Sequence, residues 1–357
     1  MPLQNSPIYD IQQSFEQNAT YGPFWNEEIA KTVNSPTLKT SFLGFSLNSA
    51  FGVAACPISC NSRYVSLLSQ LGYDLISYKS VRSQEWRGNP APHWRYADLP
   101  QLLEQSAALQ PVLVSTQPFP NQEVSMVNSF GIHSLKPEYW QADVVVTLSK
   151  LQPGQLLILS LMATPQPNQK LTDDAQKLGR LALQTGVEVF ELNLACPNTD
   201  KGAGLIYEDI KLATQMCQAM KQALGDKKLL VKVGYYKDQL MMRSFMEQNV
   251  GIIDGIASIN TGSGPIAQQD GKDVFPGRPT AGISGAAVRN IAMKQAQNLT
   301  QYKKELKLKD FAVIGIGGVT KPEHIDQYLD LGVDAVQSSV GIWDNPFLGQ
   351  EYKQGKK

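Results

Sequence analysis

The feature that most constrains the fold is a repeated alternation of short apolar segments with amphipathic ones. The apolar segments have the length and composition of buried strands, and the segments between them have helical periodicity. The eight predicted strands are 47–54, 73–81, 156–163, 187–196, 228–234, 253–261, 311–318 and 334–342. This pattern predicts a (β/α)8 TIM barrel. An open doubly wound sheet is the alternative, disfavoured because no G-x-G-x-x-G follows the first strand.

The chain divides into three parts. Residues 1–40 are polar and interrupted by prolines, which predicts an N-terminal arm, and residues 346–357 form a polar C-terminal tail. The barrel takes residues 41–345. About fifty residues after the second strand are rich in Pro and Trp, and we expect an irregular insertion there.

Charge and hydropathy exclude several classes of protein. Lys+Arg and Asp+Glu are equal at 32, so there is no basic footprint for nucleic acid. No apolar run is long enough to span a bilayer, so we expect no membrane association. The first residues lack the charged and apolar regions of a signal peptide. These features predict a cytoplasmic protein.

The cysteines favour neither disulfides nor a metal. Four cysteines in 357 residues do not make a disulfide framework. Cys56 and Cys60 have no second Cys or His pair nearby, so we expect no metal site.

Polar and reactive residues stand where four of the predicted strands end. All strand ends of a (β/α)8 barrel point to one face, so these side chains would meet there. Two lysines, three asparagines, a threonine and a cysteine are costly to bury without a polar ligand, which indicates a binding site. They are Lys79, Asn193, Cys196, Asn198, Lys232, Asn260 and Thr261.

Glycines around the seventh strand give a second signal. Gly315, Gly317 and Gly318 end this strand, and AGISGAAV (281–288) opens the preceding helix. Backbone N–H groups in such loops bind anions, and TIM barrels often hold phosphate after strands seven and eight. We therefore expect a phosphate-bearing cofactor.

The segment ELNLACPNT (191–199) closely resembles the active-site segment of dihydroorotate dehydrogenases. The resemblance covers about residues 41–345, and its other pieces stand in the family's order. These pieces are NSAFGV (48–53), YKSVRS (78–83), RGNP (87–90), NSFGI (128–132), VKVG (231–234), SINTGSG (258–264), GISG (282–285) and IGIGG (314–318). The resemblance implies an FMN-binding barrel that oxidises (S)-dihydroorotate to orotate in pyrimidine biosynthesis.

The resemblance also implies roles for single residues. Cys196 matches the base that removes the proton at ring carbon 5 while hydride leaves carbon 6 for the flavin. Lys79 matches a catalytic lysine near the flavin and the substrate carboxylate. Lys232 matches the lysine near flavin N1, where its charge would stabilise the reduced flavin.

The remaining implied contacts are with substrate and cofactor. An amide offers both a donor and an acceptor, as the edge of a pyrimidinedione requires. The implied substrate contacts are Lys79, Asn128, Gly131, Ile132, Asn193, Asn198, Asn260 and Thr261. The implied FMN contacts are Ser49, Ala50, Gly52, Lys79, Asn193, Lys232, Gly282, Gly317, Gly318, Ser338 and Ser339.

The sequence departs from the family pattern at three places. Ser339-Val340 stands where Gly followed by Thr or Ser is usual, and His133 replaces a common Pro. NSAFGVAACP is longer than the usual segment. The arm is not the apolar extension of class 2 enzymes, which together with the Cys base favours class 1. Class 1 implies a homodimer, and fumarate or an iron–sulfur partner subunit as electron acceptor rather than quinone.

Two other functions stay open. Dihydropyrimidine dehydrogenase, a related flavin barrel acting on dihydrouracil-type substrates, also uses a Cys base, but its motif continues after Cys-Pro with His. Asn198 and the NSFGI loop favour dihydroorotate. A non-catalytic barrel that binds a phosphorylated ligand is the third reading, and Cys196 with both lysines argues against it.

Overall fold

The computed structural model describes residues 8–24, 36–101, 110–195 and 205–356. The strands in these ranges, numbered along the chain, are Thr40–Phe42 (β1), Phe45–Leu47 (β2), Phe51–Val53 (β3), Leu75–Val81 (β4), Trp94–Asp98 (β5), Leu113–Ser115 (β6), Ser125–Asn128 (β7), Leu156–Leu161 (β8), Val189–Asn193 (β9), Lys228–Val233 (β10), Gly255–Ser258 (β11), Gly262–Pro265 (β12), Thr280–Gly285 (β13), Ala312–Ile316 (β14) and Ala335–Ser338 (β15). The helices are Phe15–Tyr21 (α1), Ser62–Gln70 (α2), Pro137–Leu148 (α3), Leu171–Leu183 (α4), Ile210–Leu224 (α5), Gln239–Gln248 (α6), Arg289–Glu305 (α7), Pro322–Asp330 (α8), Val340–Asp344 (α9) and Leu348–Gln354 (α10).

Eight parallel strands close into a barrel in the order β3-β4-β8-β9-β10-β11-β14-β15. Strands β4 and β8 are buried along their whole length, because one face lines the barrel and the other packs under helices. Side chains at the helix starts hold several of the outer helices in place. The Asp238 carboxylate, for example, accepts two backbone N–H groups at the start of α6. The predicted (β/α)8 barrel is confirmed.

The amino end of the barrel is closed and apolar. Leu75, Leu156 and Val189, the first residues of their strands, belong to one buried cluster inside the barrel. The antiparallel hairpin of β1 and β2 adds Phe42 and Leu47 to the same cluster. Because this end is filled by aliphatic side chains, a polar ligand has room only at the other end, which we call the mouth.

A second sheet lies on the mouth side. Its five antiparallel strands have the order β12-β13-β7-β5-β6. Three of them come from the segment after β4 and two from the segment after β11. Both segments leave the barrel at carboxyl ends of strands. The insertion that we expected to be irregular therefore contributes three strands.

The C-terminal helix is attached at the closed end. Lys353 Nζ of α10 lies 2.6 Å from Asp74 Oδ2, and both side chains are buried. Asp74 also accepts hydrogen bonds from Ser49 and Gln155. Residues 348–354 of the predicted polar tail thus form a helix that packs on the barrel.

Two predicted strands have different bounds in the structure. The first begins at Phe51, because residues 45–47 pair with β1 instead. The last is divided into β15 and the short helix α9. None of the helices in the described parts of the chain has the length and hydropathy that a membrane crossing requires.

Candidate functional site

Predicted site residues stand at the carboxyl ends of neighbouring barrel strands. Asn193 is the last residue of β9 and lies directly beside Lys232 of β10 in the ladder. Asn260 follows β11 and donates its backbone N–H to the last carbonyl of β10. Lys79 lies on β4, where the pairing with β8 is irregular. The structure therefore brings these four residues to the mouth.

A chain of hydrogen bonds joins two of the amides to the barrel interior. Asn260 Nδ2 donates to Asn193 Oδ1, and Asn193 Nδ2 donates to Ser80 Oγ, both at 3.3 Å. Ser80 and Ser160 are 2.8 Å apart, and Ser160 Oγ donates to Glu191 Oε1 at 2.8 Å. Because Ser160 has one hydroxyl proton and gives it to Glu191, Ser80 must be the donor to Ser160. Every bond in the chain thus points toward the carboxylate.

Two buried acceptors below the mouth have no hydrogen-bond donor among the described residues. They are Glu191 Oε2 and Gln337 Oε1. The Gln337 amide nitrogen is used, since it donates to Ser77 Oγ at 2.9 Å. A buried acceptor without a donor is costly, so a ligand that presents N–H groups to the barrel interior would stabilise this arrangement.

Lys79 is enclosed at the mouth. Its ammonium donates to the His133 carbonyl at 3.1 Å and lies 5.1 Å from the centre of the Phe15 ring of α1. Burial, assisted by the neighbouring Arg82 charge, lowers the pKa of Lys79 to about 8. Lys79 lines a cavity of about 720 Å³ between α1, α2, α3 and β4. A small polar molecule has room beside this ammonium.

Asn128, Thr261 and Gly282 meet on the sheet above the mouth. Gly282 of β13 pairs with Asn128 of β7. A Cβ at Gly282 would lie 3.1 Å from Thr261 Oγ1 and 3.3 Å from both polar atoms of the Asn128 amide. The absence of a side chain at this position keeps the amide and the hydroxyl accessible to one ligand.

The loop of Gly131 and Ile132 is held by two side chains from the segment after β4. Trp86 Nε1 donates to the Gly131 carbonyl at 3.0 Å, and Arg82 Nε donates to the Ile132 carbonyl at 3.1 Å. Gly131 has a φ of 69° and Ile132 a φ of 53°. A positive φ is rare for isoleucine, and the two hydrogen bonds hold the backbone in this conformation.

Gly317 and Gly318 form a tight turn after β14. Their φ angles are 133° and 71°, and a Cβ would lie 2.6 Å from Ala292 Cβ and 2.4 Å from Arg289 Cβ, respectively. Both carbonyls are held, because Tyr328 Oη donates to Gly317 and Arg289 Nε donates to Gly318, each at 2.8 Å. The turn accepts only glycine, and its peptide planes are fixed.

An acidic residue holds Arg289 beside this turn. Glu123 forms an ion pair with Arg289 and accepts hydrogen bonds from Thr320 and Lys321. Burial alone would raise the pKa of Glu123, but the hydrogen bonds from Thr320, Lys321 and Arg289 outweigh it and lower the pKa to about 2. The carboxylate therefore stays charged and keeps Arg289 in place.

Ser338, Ser339 and Cys56 adjoin one another at the mouth. The Ser338 hydroxyl donates to the Val319 carbonyl at 2.6 Å, so its proton is already used. Burial raises the pKa of the Cys56 thiol, while a hydrogen bond with Ser339 and the charge of Lys232 oppose this rise. Cys56 thus lies among predicted cofactor residues, and nothing in its sequence pattern indicated this.

The structure does not bring Ser49, Ala50 and Gly52 to the mouth. Ser49 donates to Asp74 Oδ2 at 2.6 Å, at the closed end. Gly52 lies level with Leu75 in the ladder. Strand β3 ends at Val53, so the residues from Ala54 onward stand at its carboxyl end. Cys196 and Asn198 lie outside the described residues.

Sequence reasoning missed Ser80, Ser160, Glu191 and Gln337. The first three belong to the hydrogen-bond chain, and Gln337 lies in β15 with its side chain buried. A signal did exist for Glu191, which is two residues before Asn193 and therefore on the same face of β9. An acidic residue on the inner face of a barrel strand indicates a polar network or a ligand.

Comparisons with known proteins agree with this geometry. The family model described as dihydroorotate dehydrogenase matches residues 37–355. The chain is 32% identical over 367 aligned positions to "Dihydroorotate dehydrogenase" of Dictyostelium discoideum, covering 99% of this chain and 98% of the relative. It is 23% identical over 298 positions to "Dihydroorotate dehydrogenase B (NAD(+)), catalytic subunit" of Desulforamulus reducens, covering 82% and 83%. It is 27% identical over 164 positions to the protein of the same name from Oceanobacillus iheyensis, covering 46% and 51%. The barrel is closed and parallel, with amides and lysines at its mouth, and the family match covers nearly the whole chain. The chain therefore belongs to the dihydroorotate dehydrogenase family.

Proposed function

We propose that this chain oxidises (S)-dihydroorotate to orotate with FMN as its cofactor. The observation that carries the proposal is the hydrogen-bonded pair Asn193 and Asn260 at the mouth of a barrel of this family. Asn193 is oriented by its bond to Ser80, which leaves the remaining amide groups of Asn260 for a ligand. A dihydropyrimidine ring alternates C=O and N–H along its edge, and paired amides suit such an edge.

The substrate would lie between the amides and the sheet above the mouth. Asn128 and Thr261 supply further polar groups from above, and Asn198 is proposed for the same role. The Lys79 ammonium would bind the substrate carboxylate, with the loop of Gly131 and Ile132 closing that side. Opposite charges in a water-poor site attract strongly, so this contact would fix the orientation of the ring.

Cys196 is proposed as the base. Its thiolate would take the proton from ring carbon 5, and the pair of electrons left behind forms the ring double bond as hydride leaves carbon 6. A free thiol titrates near pH 8.5, so the rate should rise as the thiolate forms. This assignment is supported by the match of ELNLACPNT to the family segment.

The residues of the mouth fit FMN. The flavin ring carries an N–H group that could satisfy Glu191 Oε2. Gly317 and Gly318, with the backbone of Ser338 and Ser339, would hold the phosphate, and Gly282 would lie near the cofactor. When bound, FMN supplies the acceptor for the hydride. Lys232 would place a positive charge beside the flavin ring. The family resemblance implies Ser49, Ala50 and Gly52 as flavin contacts, but we propose that Ala54 and Cys56 contact the ring instead.

The electron acceptor, assembly and location stay predictions. Relatives named as catalytic subunits of NAD(+) enzymes support a partner subunit for electron transfer, whereas class 1 resemblance supports fumarate and a homodimer. A cytoplasmic location is part of the same proposal.

Anaerobic mixing of the purified yellow protein with (S)-dihydroorotate tests the proposed function. We expect rapid loss of flavin absorbance, and we expect Cys196→Ala to retain the colour and lose this bleaching. Bleaching by dihydrouracil but not by dihydroorotate would assign the site to the dihydropyrimidine reaction instead. Addition of fumarate, NAD or a quinone to the reduced protein then identifies the acceptor.

A further inference from the structure

Two buried histidines and a carboxylate meet beside Lys79. Glu16 comes from α1, His93 stands just before β5, and His133 follows the loop after β7. One ligand atom from each lies within 4.8 Å of the other two. The chain has three histidines in all, and two of them lie here although 40 positions separate them in sequence.

The histidines lack the partners that buried imidazoles need. His93 is 2% exposed and His133 is 5% exposed. His133 Nε2 lies 3.3 Å from Glu16 Oε1, and the backbone of Ser129 and Asn89 adjoins His93 and His133, respectively, but within the described residues none of the four ring nitrogens makes a hydrogen bond of normal geometry. Aromatic rings fix both planes, because His93 stacks on Phe130 and His133 stacks on Phe15. The two imidazoles are nearly perpendicular, with their centres 5.2 Å apart. Oriented, buried and unsatisfied nitrogens indicate a missing ligand.

We propose that Glu16, His93 and His133 bind one divalent transition-metal ion, of which zinc is the best representative. Imidazole and carboxylate are ligands of zinc, and two ligands of a tetrahedral zinc ion are about 3.3 Å apart. The Glu16 Oε1 to His133 Nε2 distance is 3.3 Å. The His93 nitrogen lies within 4.8 Å of the other two ligand atoms, so binding would draw the three ligands closer together. The exposed side of Glu16 leaves the fourth position to water.

The charges around the cluster act in opposite directions. The cations Lys79 and Arg278 lie near His133 and His93, respectively, and oppose a further positive charge there. Neutral imidazole nitrogens nevertheless are ligands of divalent transition metals. The Lys79 ammonium contacts the His133 carbonyl, and Glu16 supplies a negative charge on the ring side.

The metal would connect the arm to the barrel mouth. Glu16 belongs to the arm, whereas His133 directly follows Gly131 and Ile132 in the loop proposed to close over substrate. Binding would therefore hold α1 against this loop. This role is independent of the reaction proposed above, because zinc binding can be measured without turnover.

Calorimetric titration of the chelator-treated flavoprotein with zinc chloride tests the proposal. We expect one zinc ion per chain, an affinity at least about tenfold weaker in Glu16→Gln, and no change in Glu85→Gln. Glu85 is a matched control, since it is an exposed carboxylate lining the same cavity as Glu16. Glu16 is exposed, so its variant should fold. Cobalt(II) as a second probe should give a tetrahedral visible spectrum that His93→Asn abolishes.

Two results would overturn the proposal. One is the absence of stoichiometric zinc binding by the wild-type protein. The other is zinc that binds Glu16→Gln and His93→Asn as tightly as wild type, because that zinc would be held elsewhere, for example by the thiols.

Discussion

Ser160 donates its single hydroxyl proton to Glu191 Oε1 at 2.8 Å, and this bond sets the direction of the Ser80–Ser160 bond below Asn193. The Asn193 amide is also held from above, because the Ala195 N–H donates to its Oδ1 at 3.1 Å. If Ser160 instead pointed toward Ser80, the Ser80 hydroxyl would be free to turn away from Asn193. Through Oε1 the carboxylate below the mouth therefore acts on the amides above it by way of two serine hydroxyls, while Oε2 is left for the N–H group of the cofactor proposed above. We regard Glu191 as a positioning residue.

Replacement of Glu191 tests this role. Glu191→Leu removes the acceptor, so we expect kcat/KM for dihydroorotate to fall about tenfold, which corresponds to roughly one lost hydrogen bond in the transition state. Glu191→Gln keeps an acceptor oxygen and should recover most of the loss. Steady-state kinetics and melting temperatures of both variants separate positioning from stability. Equal kinetics in the two variants would contradict the acceptor role.

Asn193 should matter more, because its amide makes the hydrogen bonds to Ser80 and Asn260 and is also proposed to bind the ligand. We expect Asn193→Ala to lower kcat/KM about 100-fold, since Asn260 loses its partner as well. Asn48→Ala is a control of the same chemistry at the closed end, where Asn48 Nδ2 donates to Pro153. It should leave the kinetics unchanged. A smaller effect at Asn193 than at Asn48 would exclude the mouth as the site.

The barrel could be predicted from sequence because each of its strands is a local apolar run. The sheet over the mouth could not. Strand β12 is Gly-Ser-Gly-Pro, a sequence with turn character, and it becomes a strand only because β13 pairs with it. Strands β13 and β7 are far apart in sequence, so no local pattern predicts their pairing.

Two sources supplied the site residues, and they differ in outcome. Asn193 and Lys232 are predicted because they stand at the ends of regular strands. Ser49 and Gly52 are implied only by the family resemblance, and the structure holds Ser49 at the closed end. His93 and His133 have no shared sequence pattern, since only tertiary packing brings them together.

The lowered pKa of Lys79 predicts that its loss of charge lowers kcat/KM on the alkaline side of the pH profile. Burial lowers its pKa to about 8, so the ammonium is charged below this pH and loses its charge as the pH rises through it. Because the rate also rises as the Cys196 thiolate forms, we expect kcat/KM for dihydroorotate, measured with chelator present, to follow a bell-shaped pH profile whose falling limb comes from Lys79. Lys79→Arg stays charged throughout and should lack this limb. Superimposable profiles of the two proteins would show that another group titrates.

Glu123 should make the turn of Gly317 and Gly318 sensitive to acid. Its folded pKa of about 2 lies below its ordinary value of 4.5, so its stabilisation is complete above 4.5 and is lost as the pH falls toward 2. We expect Glu123→Gln to lower the free energy of unfolding by about 2 kcal/mol at pH 7 and by much less near pH 2. Denaturant unfolding at several pH values measures the difference. A loss that does not depend on pH would mean that packing, rather than charge, is responsible.

Loss of Lys353 should destabilise the fold without changing the chemistry. Its ammonium is 4% exposed and pairs with Asp74, which is 0% exposed, so Lys353→Ala leaves a buried carboxylate without its partner. Breaking a buried pair in this way costs about 3–5 kcal/mol. Lys356→Ala is the matched control, because Lys356 pairs with Asp326 at the surface, where such a pair contributes less than about 1 kcal/mol.

Thermal unfolding should distinguish the two variants. In both variants kcat/KM should stay at the wild-type value, because the Lys353–Asp74 pair lies at the closed end of the barrel and the Lys356–Asp326 pair lies at the surface. A large kinetic effect in Lys353→Ala at a temperature where it is folded would show that the closed end and the mouth are coupled.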